Sequence, residues 1–402
     1  MEYDTDNIII LGAGASYDAG IPLLGNFMQT MWEMSIRHTY NGHTIPEDDL
    51  NLIIKALKIT REMDNYHGRI NYNDKNIEEV MSLLSFKIKT GTRKDKTNLT
   101  TFTKAVARVI DITCSVKYEI PSQSYINLQK QSNAYTTFWS CMFKLFDSTG
   151  SIPVILTLNY DLVLERSLLN TLHSVNNHKF PFTSLSFNYF NGKSANIYPV
   201  RYPYVTTNSD IVEFQSSKRA VITSPEPQHN SKRPLSINIL KLHGSLNSGN
   251  TSSLHSIVNS SENIEIIPPV VNKSSTKEIE MIWSAALKFL KSAKNIVFVG
   301  YSLPFTDIYM QYFLKAGLGP NRDLNKITVF DPLLWQKNTM AEGMKNRFRN
   351  VLSPQFHDRI DFHPKEITKT SDNPTPGTMA HFVKKLFEST HNDKKGEILF
   401  VR

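Results

Sequence analysis

Small residues that could cradle a phosphate follow the first apolar run of the chain. The run Asn7–Leu11 ends at Gly12, Ala13 and Gly14, and Ser16 follows two positions later. Glycines allow a backbone to approach a phosphate closely, and the N-terminus of a following helix offers unpaired amides to an anion. A glycine turn after a strand is also an ordinary tight turn, so this motif alone leaves both interpretations open.

The same stretch lacks the fingerprint of a nicotinamide-dependent dehydrogenase. That fingerprint, G-x-G-x-x-G, has its third glycine at the position that Tyr17 occupies here. An acidic ribose ligand is expected about 20 residues further on, and Glu33 is only a poor counterpart. The pattern therefore disfavours a dehydrogenase.

Two further apolar runs end in side chains that could transfer protons or form hydrogen bonds. Asn159 and Asp161 lie in the segment LTLNYD, and His243 lies in the segment KLHGS. A histidine ordinarily titrates near neutral pH and can act as a general base, whereas an asparagine amide can hold a hydroxyl group or a water molecule. Each residue also has a structural interpretation, because an Asx turn can cap a helix and a single histidine is often only packed.

The last two apolar runs end in a similar way. Gly300 and Ser302 lie in the segment VGYSLP, and Asp331 follows the run that ends at Phe330. An Asp-Pro pair is a common helix start, so Asp331 also has a structural interpretation. Five such endings together are harder to explain structurally than any one of them, and they favour a shared site.

These endings require a fold that brings distant segments to one place. Short apolar runs bounded by polar or glycine-containing turns are typical of buried strands, and the chain has five: Asn7–Leu11, Pro153–Leu158, Ser236–Leu242, Asn295–Val299 and Lys326–Phe330. Strands that are apolar on both faces and alternate with helices predict an α/β, Rossmann-like fold, with a mostly parallel sheet and helices on both faces. All five endings would then lie along one edge of the sheet.

A long helical segment separates the first two predicted strands. Apolar residues recur there at i, i+3, i+4, i+7 spacing, in the sets Leu50, Ile53, Ile54, Leu57 and Ile77, Val80, Met81, Leu84. We therefore predict an α-helical insertion lobe over residues 25–150 and a Rossmann-like domain over residues 1–24 and 151–402. A pocket between them would lie above the strand ends.

Composition narrows the classes of protein that fit. The chain has 402 residues, 40% of them hydrophobic, and a formal charge of +8, which indicates a globular protein and gives little support to nucleic-acid binding. Two cysteines, Cys114 and Cys141, suggest a reducing compartment and exclude a four-cysteine zinc site. No apolar run approaches the length of a membrane span, and the first residues are acidic rather than signal-like. We expect a cytoplasmic protein.

Together, these motifs resemble those of the sirtuin-like family, in particular its zinc-less bacterial branch linked to antiphage defence. The segment GAGAS…GIP resembles the first NAD-binding motif of the family, TLNYD its Thr-x-Asn-x-Asp motif, KLHGS its catalytic His-Gly and GYSLP its Gly-x-Ser segment. Pro268-Pro269 and Asn272-Lys273 are similar to the defence branch. The resemblance covers residues 7–24 and, with interruptions, 152–335.

Two departures separate the chain from the sirtuins that deacylate proteins. Residues 244–295 contain no cysteine, whereas those enzymes carry a four-cysteine zinc ribbon shortly after the histidine. The strand-like segment with which they clamp an acyl-lysine peptide is not recognisable either. The resemblance therefore implies NAD binding and, in the defence branch, metal-free hydrolysis of NAD to ADP-ribose and nicotinamide.

On this interpretation we expect Asn159 to hold the ribose or the attacking water, His243 to accept a proton, and Asp161 to bind the nicotinamide carboxamide. The remaining candidates would contact the phosphates and the two riboses: Gly12, Ala13, Gly14, Ser16, Gly300, Ser302 and Asp331. Nicotinamide leaves as a neutral molecule from a cationic precursor and needs no general acid, unlike an ordinary glycoside cut by two carboxylates. That fits a set of candidates without an evident carboxylate pair.

Two other functions would use the same residues. A zinc-free NAD-dependent protein deacylase would release nicotinamide only in the presence of an acylated peptide. A non-catalytic subunit that senses NAD or ADP-ribose would bind without turnover.

Unrestrained hydrolysis of NAD would kill the host cell, so the resemblance implies a regulatory partner. The core and the insertion leave little chain for a sensor domain, and we expect the trigger to be another polypeptide. Analogy with the family favours a HerA-type DNA-translocating ATPase over a short Argonaute-type protein, with nucleic acid contacted at most indirectly. The same analogy predicts a homo-oligomer.

Overall fold

The structure is a computed structural model that describes residues 4–64, 73–117, 133–174, 182–190, 193–197, 213–216, 233–246, 265–266, 277–336, 338–363, 375–391 and 400. The strands in these ranges are β1 (Asp4–Leu11), β2 (Thr39–Tyr40), β3 (His43–Thr44), β4 (Pro153–Thr157), β5 (Phe182–Asn188), β6 (Lys193–Ile197), β7 (Glu213–Ser216), β8 (Arg233–Lys241), β9 (Gly244–Ser245), β10 (Glu265–Ile266), β11 (Asn295–Val299), β12 (Lys326–Phe330) and β13 (Ile360–His363). The helices are α1 (Ala13–Tyr17), α2 (Leu24–Arg37), α3 (Glu47–Asp64), α4 (Ile77–Thr90), α5 (Arg93–Thr113), α6 (Ala134–Thr149), α7 (Val163–Ser174), α8 (Lys277–Ser292), α9 (Ile308–Leu318), α10 (Thr339–Arg349) and α11 (Met379–His391).

Nine of the described strands form one sheet in the order β13-β12-β11-β1-β4-β8-β5-β6-β7. The seven strands from β13 to β5 pair in parallel, and β6 and β7 continue the sheet as antiparallel strands. The five predicted strands are the five contiguous ones from β12 to β8, and β11 and β12 agree with the prediction residue for residue. The predicted, mostly parallel α/β fold is confirmed.

Helices cover both faces of the sheet, as predicted. Side chains alternate along a strand, so Ile9 and Leu11 of β1 pack into a core with α2–α7 and α11, whereas Ile8 and Ile10 pack into a core with α8, α9 and α10. All four side chains are at most 2% exposed. Burial on both faces explains why this strand is a continuous apolar run.

Helices α2–α6 lie between β1 and β4, where the helical insertion was predicted. Ile77 and Val80 of α4 are buried, as their spacing requires, but Ile54 of α3 is 42% exposed. Ile53 is buried as predicted, and Ala56 faces the core in place of Ile54, so the buried stripe of α3 is displaced from the predicted one. The insertion shares one continuous core with its face of the sheet, and the domain boundaries stay a prediction.

Buried ion pairs join the insertion to helix α7. Arg166 of α7, which is 1% exposed, places Nη2 2.7 Å from Oδ1 of Asp111 in α5. Arg108 of α5 donates to both carboxylate oxygens of Asp49 in α3, at 2.7 and 2.6 Å. Because a buried charge is costly without its partner, these pairs hold α3, α5 and α7 in fixed relative positions.

Within the described ranges, no helix is both long and apolar enough to cross a membrane.

Candidate functional site

The five predicted strand endings lie in a row along one edge of the sheet. Following the strand order, the row is Asp331, Gly300, Gly12, Asn159 and His243. Neighbouring strands are about 4.8 Å apart, so the row extends about 19 Å. The chain continues from β1 to β4 on one side and from β11 to β12 on the other, so the edge between β1 and β11 is the switch point at which such sheets bind ligands.

The turns after β1 and β11 are in direct backbone contact. The amides of Gly12 and Gly14 donate to the carbonyl oxygens of Val299 and Gly300, at 3.0 and 2.9 Å. A Cβ atom on Gly12 would lie 2.5 Å from the Gly300 oxygen, and one on Gly300, whose φ is +63°, would lie 2.2 Å from the Ala15 nitrogen. Gly12 and Gly300 are therefore required for the close approach of the two turns. The amides of Gly12 and Gly14, which were candidates for binding an anion, donate to carbonyl oxygens of the protein instead.

Asn159, Ser16 and Asp161 form a single hydrogen-bonded network beside these turns. The Asn159 amide donates to the Gly12 carbonyl oxygen and to Ser16 Oγ, both at 2.8 Å. Ser16 Oγ in turn donates to Asp161 Oδ2 at 2.7 Å. The structure thus brings three predicted residues together from β1 and β4, and Ala13 lies exposed at the start of α1 next to them.

A buried lysine supports the network from strand β8. Lys241 Nζ donates to the Asp161 carbonyl oxygen at 2.5 Å and lies 2.8 Å from Glu165 Oε1. Lys241 is 3% exposed and Glu165 is fully buried. Sequence reasoning missed this pair, although a lysine inside the apolar run before His243 was a signal for it.

His243 lies in an aromatic pocket at the end of β8 and is 4% exposed. Its ring stacks on Trp283 of α8 with 6.4 Å between centroids, and Tyr160 lies 6.5 Å away on another side. Trp283 Nε1 donates to the Leu242 carbonyl oxygen at 2.8 Å, which fixes the indole beside the histidine. Asp307 Oδ2 is 4.0 Å from His243 Nε2. The segment after β11 therefore reaches a histidine three strands away.

At the other end of the row, Asp331 and Ser302 share a cationic neighbour. Arg347 of α10 donates to the Ser302 carbonyl oxygen at 3.2 Å from Nε and 3.0 Å from Nη2. Burial raises the pKa of Asp331 to about 6. Two smaller effects lower this pKa: the hydrogen bond that the Leu333 amide donates to the carboxylate and the positive charge of Arg347. Burial also lowers the pKa of Arg347. This end of the row can hold a polar group such as a ribose, with a positive charge beside it.

Sequence reasoning also missed Trp283, Asp307 and Arg347. Asp307 is the N-cap of α9 and accepts a hydrogen bond from the Met310 amide. An aspartate just before a helix is therefore explained in the sequence as a helix cap, and nothing there indicates a functional site. Trp283 and Arg347 lie on helices far from the strand ends in sequence, and their types do not distinguish them from packing residues. Pro268-Pro269 and Asn272-Lys273 lie outside the described residues.

Part of the chain matches a known protein family. Residues 153–332 match the family of the SIR2-like domain, which supports a sirtuin-like family for the chain and a use of NAD. A search of curated proteins gave no match. Within the part of the chain that the structure describes, no three His, Cys, Asp or Glu side chains form a group that could hold a metal ion.

Proposed function

We propose that this protein is an NAD hydrolase that cleaves NAD to ADP-ribose and nicotinamide. The observation that carries the proposal is the row of strand endings, which places His243 beside the Asn159–Ser16–Asp161 network and the glycine turns on one sheet edge. The SIR2-like match covers four of the five strands of the row, all except β1, and supports NAD as the ligand. The aromatic rings around His243 suit the flat, cationic nicotinamide ring, because aromatic faces attract cations.

In the proposed reaction, the dinucleotide lies along the row with its adenosine ribose at Asp331. Its phosphates lie beside the two glycine turns, at the N-terminus of α1. Asp161 takes the nicotinamide carboxamide and Asn159 holds the ribose or the attacking water. These roles are the ones that the resemblance to the sirtuin-like family implies.

The proposed chemistry needs one proton acceptor. The bond between nicotinamide and ribose C1′ breaks, and its electron pair leaves with nicotinamide, which becomes neutral. Water adds to the cationic C1′, and His243 accepts the water proton and releases it to solvent. Removal of a general base typically lowers turnover by about 10²–10⁴-fold.

The test is release of nicotinamide from NAD by the purified chain, with no acylated peptide present. We expect His243→Ala and Asn159→Ala to lower the rate by about 10²–10⁴-fold, while His43→Ala, an exposed histidine of the β2–β3 hairpin, retains it. Thermal unfolding and circular dichroism establish that each variant is folded. Full activity in either folded site variant would refute the assignment.

The same assay separates the alternatives. Release that requires an acylated peptide would indicate a zinc-free deacylase. Tight binding of NAD without turnover under every activating condition would indicate a sensing subunit.

We further propose that the protein is a cytoplasmic, homo-oligomeric effector of antiphage defence that depletes NAD under the control of a partner protein. The argument is that an unrestrained NAD hydrolase would kill its own cell. We favour a HerA-type DNA-translocating ATPase as the partner, with a short Argonaute-type protein as the alternative. Pull-down of the tagged chain from infected and uninfected cells tests this, and the absence of any partner would contradict it.

A further inference from the structure

A buried charge interrupts the apolar strand that leads to His243. Ile237 and Ile239 of β8 pack into the core that α7 and the insertion helices share, and side chains alternate along a strand, so Lys241 lies on the same face. Its side chain is almost fully buried. An apolar residue would continue this face, whereas a lysine must give up its hydration, which is costly.

The charge of Lys241 is balanced by a buried carboxylate. Lys241 Nζ lies 2.8 Å from Oε1 of Glu165 on α7. The Tyr189 hydroxyl donates to the same oxygen at 3.3 Å, so the segment after β5 also reaches the pair. Replacement of a buried ion pair by apolar side chains is often neutral or stabilising. The packing of this face therefore does not by itself explain why a charged pair is present.

The lysine also contacts the candidate site directly. Lys241 Nζ donates to the main-chain carbonyl oxygen of Asp161 at 2.5 Å. The carboxylate of Asp161 accepts hydrogen bonds from Ser16 Oγ at 2.7 Å and from the Val163 amide at 3.1 Å. Ser16 Oγ in turn accepts the side-chain amide of Asn159 at 2.8 Å. A donor that fixes the Asp161 carbonyl group therefore fixes the turn that carries both Asn159 and Asp161.

A main-chain hydrogen bond joins the same turn to the segment that follows β8. The Leu246 amide donates to the Tyr160 carbonyl oxygen at 2.9 Å. Lys241 adds a hydrogen bond from a charged donor one residue further along the turn, and such bonds are about twice as strong as neutral ones. The turn after β4 and the turn that begins at His243 are therefore held in one arrangement from both ends of the KLHGS segment.

We propose that Lys241 is a positioning residue for the reaction: paired with Glu165, it holds the turn of Asn159 and Asp161 in the arrangement that NAD cleavage requires. This inference rests on the NAD hydrolysis proposed above. Lys241 touches neither the dinucleotide nor the attacking water, and acts only through the main chain of Asp161. A displacement of about 1 Å in a positioned group can lower a rate by about 10²-fold. Positioning thus gives a reason for a buried lysine that packing does not supply.

The first experiment measures hydrogen–deuterium exchange in the turn and does not depend on NAD. Lys241→Met keeps a long side chain and removes the donor. Glu165→Gln in the same chain removes the charge that would otherwise be buried without its partner. We expect the amides of residues 159–163 to exchange about tenfold faster in this double variant than in the wild type, because the turn loses a hydrogen bond from a charged group. Unchanged exchange would overturn the proposal.

Asp111→Asn is the matched control for this measurement. It breaks the buried ion pair of Arg166, the residue next to Glu165 on α7, where Arg166 Nη2 lies 2.7 Å from Asp111 Oδ1. We expect its thermal unfolding midpoint to fall while exchange in residues 159–163 stays at the wild-type rate. Equal acceleration in Asp111→Asn would assign the effect to a loosened α7 and would also overturn the proposal.

The second experiment compares nicotinamide release with thermal unfolding. Lys241→Met alone leaves the Glu165 carboxylate buried without its partner, so we expect both the unfolding midpoint and kcat to fall. In the double variant we expect the midpoint to recover while kcat stays about 10- to 100-fold below the wild type. Asp111→Asn should show the opposite, a lower midpoint with wild-type kcat at temperatures where it is folded.

The outcomes separate a positioning role from a structural one. A kcat that recovers together with the midpoint in the double variant would leave the pair a structural role only and overturn the proposal. If the wild-type chain releases no nicotinamide although exchange in the turn rises only in the Lys241 variants, the proposed NAD hydrolysis fails while the role of Lys241 in holding the turn stands.

Discussion

Asp331 allows a prediction about stability in which both the sign and the size follow from the structure. The carboxyl is buried, and burial raises its pKa from 3.8 to about 6. The folded state therefore binds the proton more tightly than the unfolded state does. Below pH 3.8 the carboxyl is protonated in both states and does not destabilise the fold. Between pH 3.8 and about 6 the free energy of unfolding falls as pH rises, and above about pH 6 the whole destabilisation is present.

The size of this cost follows from the same shift. One pKa unit corresponds to 1.36 kcal/mol, so ionised Asp331 destabilises the fold by about 3 kcal/mol at pH 7.5. Asparagine removes the charge and keeps the oxygen that accepts the Leu333 amide at 2.9 Å. We expect Asp331→Asn to be more stable than the wild type by up to about 3 kcal/mol at pH 7.5 and equally stable at pH 3.5.

Urea unfolding from pH 3.5 to 7.5 measures this difference directly. Asp323→Asn is the control, because Asp323 is exposed just before the same strand, and we expect no gain from it at any pH. A gain for Asp331→Asn that is independent of pH, or a loss at pH 7.5, would refute the argument. If the proposed ribose contact is right, the more stable variant also binds NAD more weakly, which is a common relation between stability and function.

Three further predictions follow from particular contacts. Gly300 has a positive φ, and a Cβ atom there would lie 2.2 Å from backbone. We therefore expect Gly300→Ala to lower the free energy of unfolding in urea by more than about 1–3 kcal/mol. Gly25→Ala is the control, because Gly25 has open space around it, and we expect no loss of stability from it. Asp111→Asn leaves Arg166 without its carboxylate, and we expect about 3–5 kcal/mol of destabilisation, whereas an unchanged midpoint would show that the pair is unimportant. Ser16→Ala cuts the link between the amide of Asn159 and Asp161. We expect about a tenfold lower rate of nicotinamide release and about 1–3 kcal/mol of lost stability in urea unfolding, because buried polar groups lose a partner.

The centre of the sheet was predictable because its strands are buried on both faces. A strand of this kind is a continuous apolar run, and Asn295–Val299 and Lys326–Phe330 are found as predicted. The outer strands were not predictable in this way. Phe182–Asn188 alternates apolar and polar residues, and Ile360–His363 has four residues with two of them half-buried, so neither gives a long apolar signal.

The site was predictable only as far as strand endings determine it. Parallel strands bring their carboxyl ends to one edge, and that alone places Asn159, His243 and Gly300 in a row. Contacts made by helices and long turns carry no such rule. Asp307 lies 4.0 Å from His243 because of the turn after β11, and this position does not follow from spacing.

The structure also explains why the first glycine motif departs from the dehydrogenase pattern. In that pattern the third glycine allows a long helix to pack closely on its strand. Here α1 ends after five residues at Tyr17, which is 53% exposed, so nothing packs closely at that position and a side chain fits. Glu33 lies within α2 and accepts a hydrogen bond from Gln29. Gly12 and Gly14 make the contact with the turn after β11. A ligand at this edge would therefore contact two turns that are hydrogen-bonded to each other. In a dehydrogenase, the ligand contacts a single turn and the helix that follows it.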